Sequence, residues 1–279
     1  MSIYVNDVAV TMFDPMPKQA YQEGGFKLKN SVRLKNNVTG STVKFPKLAA
    51  GLAQQKAPQD DVSPLNLVWT DATVILQDWY ASEYSDIFAQ REINFDEVRE
   101  LSEALGYAIG RRSDQLIINA LENSSTSNTI ANAGVGFTYA KFLAMNKFMT
   151  DNSIRRDRTK LHIAIDGTAE QDILNETNFI SSDFTHKQIL DNGMSLDGME
   201  MFGYVWHVFG DMVEGGVPVS GGTHSAYAWG QNAVGMGIGM DFSTEINYMP
   251  IKTSFLVTSK YKANAVAIDA KGIVQIDYV

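Results

Sequence analysis

Side chains that exchange protons, hold metals or cradle phosphates are present in this chain, but not in working patterns. Its four histidines, His162, His186, His207 and His224, lie far apart in the sequence. No two fall at i and i+4 with an acid between them, the spacing that puts two imidazoles and a general base on one helix face. They read as isolated structural or surface histidines, with a cluster formed in the folded chain as the other reading. Gly235, Gly237 and Gly239 in GMGIGM spell G-x-G-x-G. A dinucleotide site needs a further glycine three residues on, a following helix and an acid farther along. Asp241-Phe242-Ser243-Thr244 and strand-like sequence follow instead, so these glycines read as tight chain geometry. There is no G-x-S-x-G nucleophile elbow and no G-x-x-x-x-G-K phosphate loop. The acid pairs Asp60-Asp61 and Glu97/Glu100 read as solvated carboxylates on a loop and a helix face. With no cysteine, disulfides and thiolate metal sites are excluded. The expectation is a protein that is not an enzyme and uses no metal or cofactor.

The remaining conspicuous side chains suit contact rather than chemistry. Arg155, Arg156, Arg158 and Lys160 follow a helix end, where cations are favoured by the dipole. A nucleic-acid or subunit contact is the other reading of that cluster. Trp206 and Trp229 read as core, whereas Trp69 and Trp79 fall on a segment that looks unsupported.

The chain has 279 residues, 44% of them apolar, and a net charge of −9. That is ample for a core and argues against a broadly nucleic-acid-coated surface. There is no apolar run long enough for a membrane helix and no secretory leader pattern. Charge is segregated. Residues 18–56 carry eight cations against Glu23 alone, net +7, and residues 59–104 carry eleven acids against Arg91 and Arg99, net −9.

Elements follow from periodicity. Residues 41–48 alternate as a strand does, with Pro46 marking an exposed or edge position. Residues 49–66 read as the tip of an excursion, and 67–77 as the returning strand. A two-stranded ribbon is marginal alone in water, so this one predicts an external partner. Residues 94–122 form a long helix, with Val98, Leu101, Leu105, Ile109, Leu116, Ile117 and Leu121 at three- and four-residue steps and Asn94, Asp96 and Glu97 near its start. A second helix covers 139–151, LHIAI at 161–165 is a short buried strand, and Thr168 with Gln171 predicts a capping box for a helix to about Glu176. Residues 198–242 are glycine-rich with strand fragments. Residues 244–279 read as strands, closing on a hairpin turn at Asp269-Ala270-Lys271-Gly272. The fold class is α+β.

This order of parts resembles the major capsid protein of tailed bacteriophages, the Hong Kong 97 type of fold. The resemblance is carried by VKFPKL going out, LVWTDATVIL coming back, and EALGYAIGRRSDQLIINAL, whose A-x-G-R-R-x-D-x-x-I core looks like that family's spine helix. It implies an N-terminal arm at 1–36, an extended loop at 37–86, a peripheral domain at 87–165 and 243–279 built on the spine helix, and an axial domain at 166–242. It also implies assembly: hexamers and pentamers of this chain closing into an icosahedral shell around double-stranded DNA held without sequence-specific contacts, with a portal protein in the virion and no membrane. The ribbon begins too early for a long N-terminal scaffolding segment, so a separately encoded scaffolding protein is expected, and the loop lysines are read as solubilising rather than crosslinking. Candidate intersubunit contacts are Lys27, Lys29, Arg33, Lys35, Val43, Lys44, Phe45, Lys47, Lys56, Trp69, Trp79, Arg111 and Arg112. Two alternatives stand beside this reading: an encapsulin-like nanocompartment shell, and a soluble β-rich enzyme or binding protein.

Overall fold

The computed structural model describes residues 19, 22–93, 96–154, 160–180, 195–210 and 216–279. In chain order the elements are β1 (Arg33–Lys35), β2 (Thr42–Leu48), β3 (Trp69–Ile75), β4 (Gln77–Asp86), α1 (Ile87–Glu92), α2 (Glu97–Glu122), β5 (Thr129–Ile130), α3 (Tyr139–Asp151), β6 (Leu161–Asp166), α4 (Gly167–Asn175) and α5 (Thr177–Ile180). There follow β7 (Glu200–Met201), β8 (Tyr204–Phe209), β9 (Val219–Ser220), β10 (Thr223–Gly230), β11 (Val234–Met249), β12 (Ser254–Ala267) and β13 (Ile273–Tyr278).

Three sheets form. A four-stranded sheet runs β1-β11-β12-β4, and a seven-stranded one runs β5-β13-β10-β6-β8-β7 with β9 beside β10. The third is the ribbon β2-β3, paired antiparallel from Thr42↔Ile75 to Leu48↔Trp69. The long helix α2, about 40 Å at 1.5 Å per residue, lies between the two larger sheets. Its Ile117, Ile118 and Leu121 share one core with Met236, Ile238, Tyr261 and Ala263 of the first sheet and Ala164, Phe209, Tyr227, Trp229 and Ile273 of the second. A second core covers the other face of the seven-stranded sheet, where Phe142, Met145 and Met149 of α3 meet Ile163, Ile165, Tyr204, Trp206, Val274 and Ile276. LHIAID is buried at all six positions because β6 has strands on both sides and a core on both faces.

The two main helices begin and end near the expected places, and a side-chain cap fixes the start of α2. Asp96 accepts from the Arg99 amide at 3.2 Å to start α2, and Glu97 and Glu100 sit in its first turn. Asn94, expected beside it, lies outside the described residues. The cap of α4 is a correction: Asp166, not Thr168, accepts from the Ala169 amide at 2.9 Å. Carboxylate and hydroxyl caps follow the same rule, and the chain uses the one already held at the end of β6.

The expected hairpin at Asp269–Gly272 is also corrected. That turn carries the chain from one sheet to the other: β12 pairs with β11 and β4, whereas β13 pairs with β10 and β5. Ile273, Val274, Ile276 and Tyr278 are all buried, and the interior of the larger sheet offers cover on both faces. The actual long hairpin is β11–β12, turning at Pro250–Thr253, where the Lys252 amide donates to Met249 O at 3.1 Å. Sheet membership runs across the expected 87–165/243–279 and 166–242 division. β5, β6 and β13 are strands of the seven-stranded sheet, α3 packs on it, and 234–242 belongs to the four-stranded one. Strand partnership is a long-range fact that contiguity along the chain does not carry.

Lys141 closes this second unit. Its ammonium is buried and donates to Asn132 O, Val135 O and Asp277 O at 2.8–2.9 Å. One amine thereby ties a loop and the last strand to α3. Burial pushes its pKa down.

Candidate intersubunit surface

The described part of the expected arm is not free. Residues 22–35 are strapped across α2. The Phe26 amide donates to Gly110 O at 3.2 Å, and the Lys27 and Leu28 amides donate to the two carboxylate oxygens of Asp114 at 3.0 and 2.9 Å. Gly25, at φ +72, lies so near the Gly110 backbone that a Cβ would sit 2.0 Å from its carbonyl carbon. Only glycine meeting glycine allows that crossing. Arg111 donates to Gln22 Oε1 at 2.9 Å and Glu23 O at 3.2 Å. Leu28 and Val32 are buried in the main core, the Trp229 indole donates to Ser31 O at 3.0 Å, and β1 adds a parallel edge strand to β11. The G-R-R-x-D motif of the helix is therefore a dock for the chain's own leading segment. Burial pushes the Asp114 carboxyl up to about 6, although the two amides and Lys27 favour its charge.

The ribbon is divided between a seated root and an open tip. Val43, Phe45, Val74 and Leu76 are buried, packing with Val38, Ala72, Val266 and Ile268. Their other face looks outward. From Ala49 to Thr70 every residue is exposed. Leu52 is 86% exposed, Trp69 67% and Ile75 64%, with Val62, Leu65, Leu67 and Val68 also open. The tip of the long hairpin is similar, with Ile251 97% exposed.

The sequence-derived contact residues therefore separate into two groups. Val43 and Phe45 are spent on the ribbon root, a correction to their expected role at a neighbour. Trp79 is half-buried, donates to Ala263 O at 3.3 Å and carries the Arg112 guanidinium 3.9 Å above its ring. Lys27 bonds Val208 O at 2.9 Å and pairs with Glu23 and Asp197 at 3.3 and 3.1 Å; Lys29 pairs with Asp241 at 3.0 Å and Lys47 with Asp269 at 2.8 Å. Lys44 crosses the ribbon to Asp71 at 2.7 Å and holds that carboxyl below its usual range. Much of the basic leading segment thus meets acids of its own chain. Arg33, Lys35, Lys56 and Trp69 are exposed, and so is Lys44 despite its pair with Asp71. Sequence reasoning missed the tip's apolar side chains; the signal was there in Leu52, Val62 and Leu65, read as part of a loop of little apolar content, and in Leu67 and Val68, read as the start of the returning strand.

The histidines are not isolated, which is a further correction. His162 on β6 and His207 on the parallel neighbour β8 share one sheet face, with Nδ1 and Nε2 3.1 Å apart and rings stacked on each other and on Trp229. Burial first, then the neighbouring imidazole, pushes His162 down to about 3; burial also pushes His207 down to about 4. Both are neutral packing groups. His224 meets Asp166, whose carboxylate also accepts from Tyr278 Oη at 2.7 Å, tying three strands together. His186 and Arg155, Arg156 and Arg158 lie outside the described residues. Among the described residues no group of three or more His, Asp or Glu gathers to hold a metal ion, and no helix is long and apolar enough to cross a membrane.

In fold the chain is similar to the head structure of Helicobacter pylori bacteriophage KHP40, at a TM-score of 0.74 and 12% identity, covering 100% of this chain and 98% of that one. It is similar to a chain of Mycobacterium phage Che8, at 0.73 and 11%, covering 97% of each. The capsid of Ralstonia phage GP4 matches at 0.71 and 11%, covering 100% and 97%. A search of curated proteins gives no match. The family model described as phage capsid protein matches residues 5–279, so the chain belongs to the phage capsid protein family and is a structural protein of the capsid shell of tailed phages.

Proposed function

We propose that copies of this chain form hexamers and pentamers that close an icosahedral shell around double-stranded DNA, each copy laying its ribbon tip on a neighbour. The observation that carries the reading is the ribbon itself. Its inner face is sealed by Val43, Phe45, Val74 and Leu76, while Leu52, Val62, Trp69 and Ile75 face water. Large apolar side chains exposed along an extended excursion suit an interaction surface. Burying it supplies adhesion at about 25 cal/mol per Å². Arg33, Lys35 and Lys56 are the exposed cations placed to set register against acids of a neighbour. Deeply held side chains such as Val43 are not.

Separately encoded scaffolding protein, a portal protein, and assembly in the bacterial host cytoplasm complete the proposal. DNA is held without base-specific contacts, in keeping with a net charge of −9. The test is electron microscopy of the purified protein, alone and co-produced with a scaffolding protein, followed by nuclease protection of the contents of phage particles. Shells or ring-shaped capsomers and protected DNA are expected. A monodisperse small particle under both conditions refutes assembly, and shells protecting an enzyme rather than DNA refute the genome-container role.

A further inference from the structure

Resting on that assembly reading, we infer that Gly235, Gly237 and Gly239 are positioning residues: they make a bare track on β11 that seats the ribbon root and aims the ribbon before a neighbour binds. The three alternate along one strand and so share a face. A Cβ on Gly235 would stand 2.9 Å from the Phe45 ring and from Ile268 Cδ1. On Gly237 it would stand 2.7 Å from Val43 Cγ2 and 3.0 Å from Leu76 Cδ2, and on Gly239, 2.9 Å from Leu76 Cδ1. Carbon atoms in contact rest about 3.5–4.0 Å apart, so three ribbon side chains occupy the volume three methyl groups would take.

Backbone geometry does not require these glycines. None has a positive φ, and Gly235 and Gly237 lie in regular ladder pairs with Val266 and Asn264. Only Gly239 falls at a register shift. Glycine inside a strand weakens it, and the feature that profits is the seat. Both legs of the ribbon are fastened beside the track. The Val38 amide donates to Ile238 O at 3.1 Å, Asn264 Nδ2 donates to Ile75 O at 2.8 Å, and Lys47 pairs with Asp269 at 2.8 Å. An otherwise marginal two-stranded ribbon is thereby held at one angle by its root while its tip stays open.

Gly237→Ala tests the seat, because Val43 is β-branched and has little rotamer freedom to yield. The subunit is expected to fold and melt like the wild type. Amide exchange at 42–48 should rise about tenfold, and shells should be absent or of altered diameter. Adding Val43→Ala returns the volume and should restore both exchange and diameter. Wild-type exchange and diameter in Gly237→Ala, or no restoration in the double variant, overturns the inference. Should Gly237→Ala not fold, Gly235→Ala with and without Phe45→Leu is read by the same criteria. Failure of the wild-type chain to form shells refutes the assembly reading instead, and the exchange comparison still decides the seat.

Discussion

Asp114 concentrates the local logic of the molecule. Its carboxylate is buried and receives two main-chain amides from a segment 86 and 87 residues away. Asp114→Ala leaves both donors without their partner, and an unmet buried donor costs about 1–3 kcal/mol. The expected result is a loss of about 2 kcal/mol in urea unfolding of the unassembled subunit, with faster exchange at Lys27 and Leu28. Acid acts here in two directions. The folded-state values of His162 and His207, about 3 and about 4, lie below their ordinary value, so their contribution is present above pH 6.5 and lost as pH falls towards 4. Asp114, raised to about 6, behaves oppositely: its contribution is present below pH 3.8 and lost as pH rises through 6. Between pH 6 and pH 4 two histidines outweigh one aspartate, for a net loss on the order of 1 kcal/mol per pH unit from these groups. Urea titrations across that range should show it, and Asp114→Asn should steepen it. The motif holding Asp114 was visible in the sequence, yet its partner was not, because nothing local says which backbone a buried carboxylate will serve. The paired histidines were hidden for the same reason: 45 residues separate two side chains that strand register makes adjacent.

At the scale of elements, periodicity located the helices α2 and α3, the strand β6 and both legs of the ribbon. The helices have a strong repeat and enough length to average out single residues, whereas β6 stands out as a short continuous apolar run. What failed was pairing. The sharp sequence Asp269-Ala270-Lys271-Gly272 does make a turn, but which sheet receives the next strand depends on where β13 finds apolar cover. Likewise, alternation in β2 foretold one buried and one open face without saying that the buried face meets glycines of its own chain. Deleting 49–66 should leave a folded subunit unable to assemble, because that segment is exposed throughout; circular dichroism and electron microscopy read the two outcomes. Trp69→Ala should leave unfolding of the lone subunit within about 0.5 kcal/mol of wild type. It should weaken assembly by about 1–2 kcal/mol per contact, measured as the protein concentration at which shells appear.

Over its described residues the chain is a body with a protruding ribbon and hairpin. Residues 22–48 are largely docked at home, and Lys27, Lys29, Lys44 and Lys47 meet acids of their own chain. Compositional segregation along a sequence cannot distinguish pairing within a chain from pairing between chains. Assembly should then stabilise by mass action rather than by completing the fold. Calorimetry is expected to show a cooperative transition for the dissociated subunit and a higher one for shells; absence of any transition for the subunit would mean that its fold depends on the lattice. Lys141 offers a way to watch that transition chemically. Its amine is enclosed by three carbonyls, so an acylating reagent should pass it over while modifying exposed lysines such as Lys56. Once the seven-stranded sheet opens, Lys141 becomes as reactive as the others, and the acyl mark it acquires serves as a clock for that opening, legible by mass spectrometry in free protein and in particles alike.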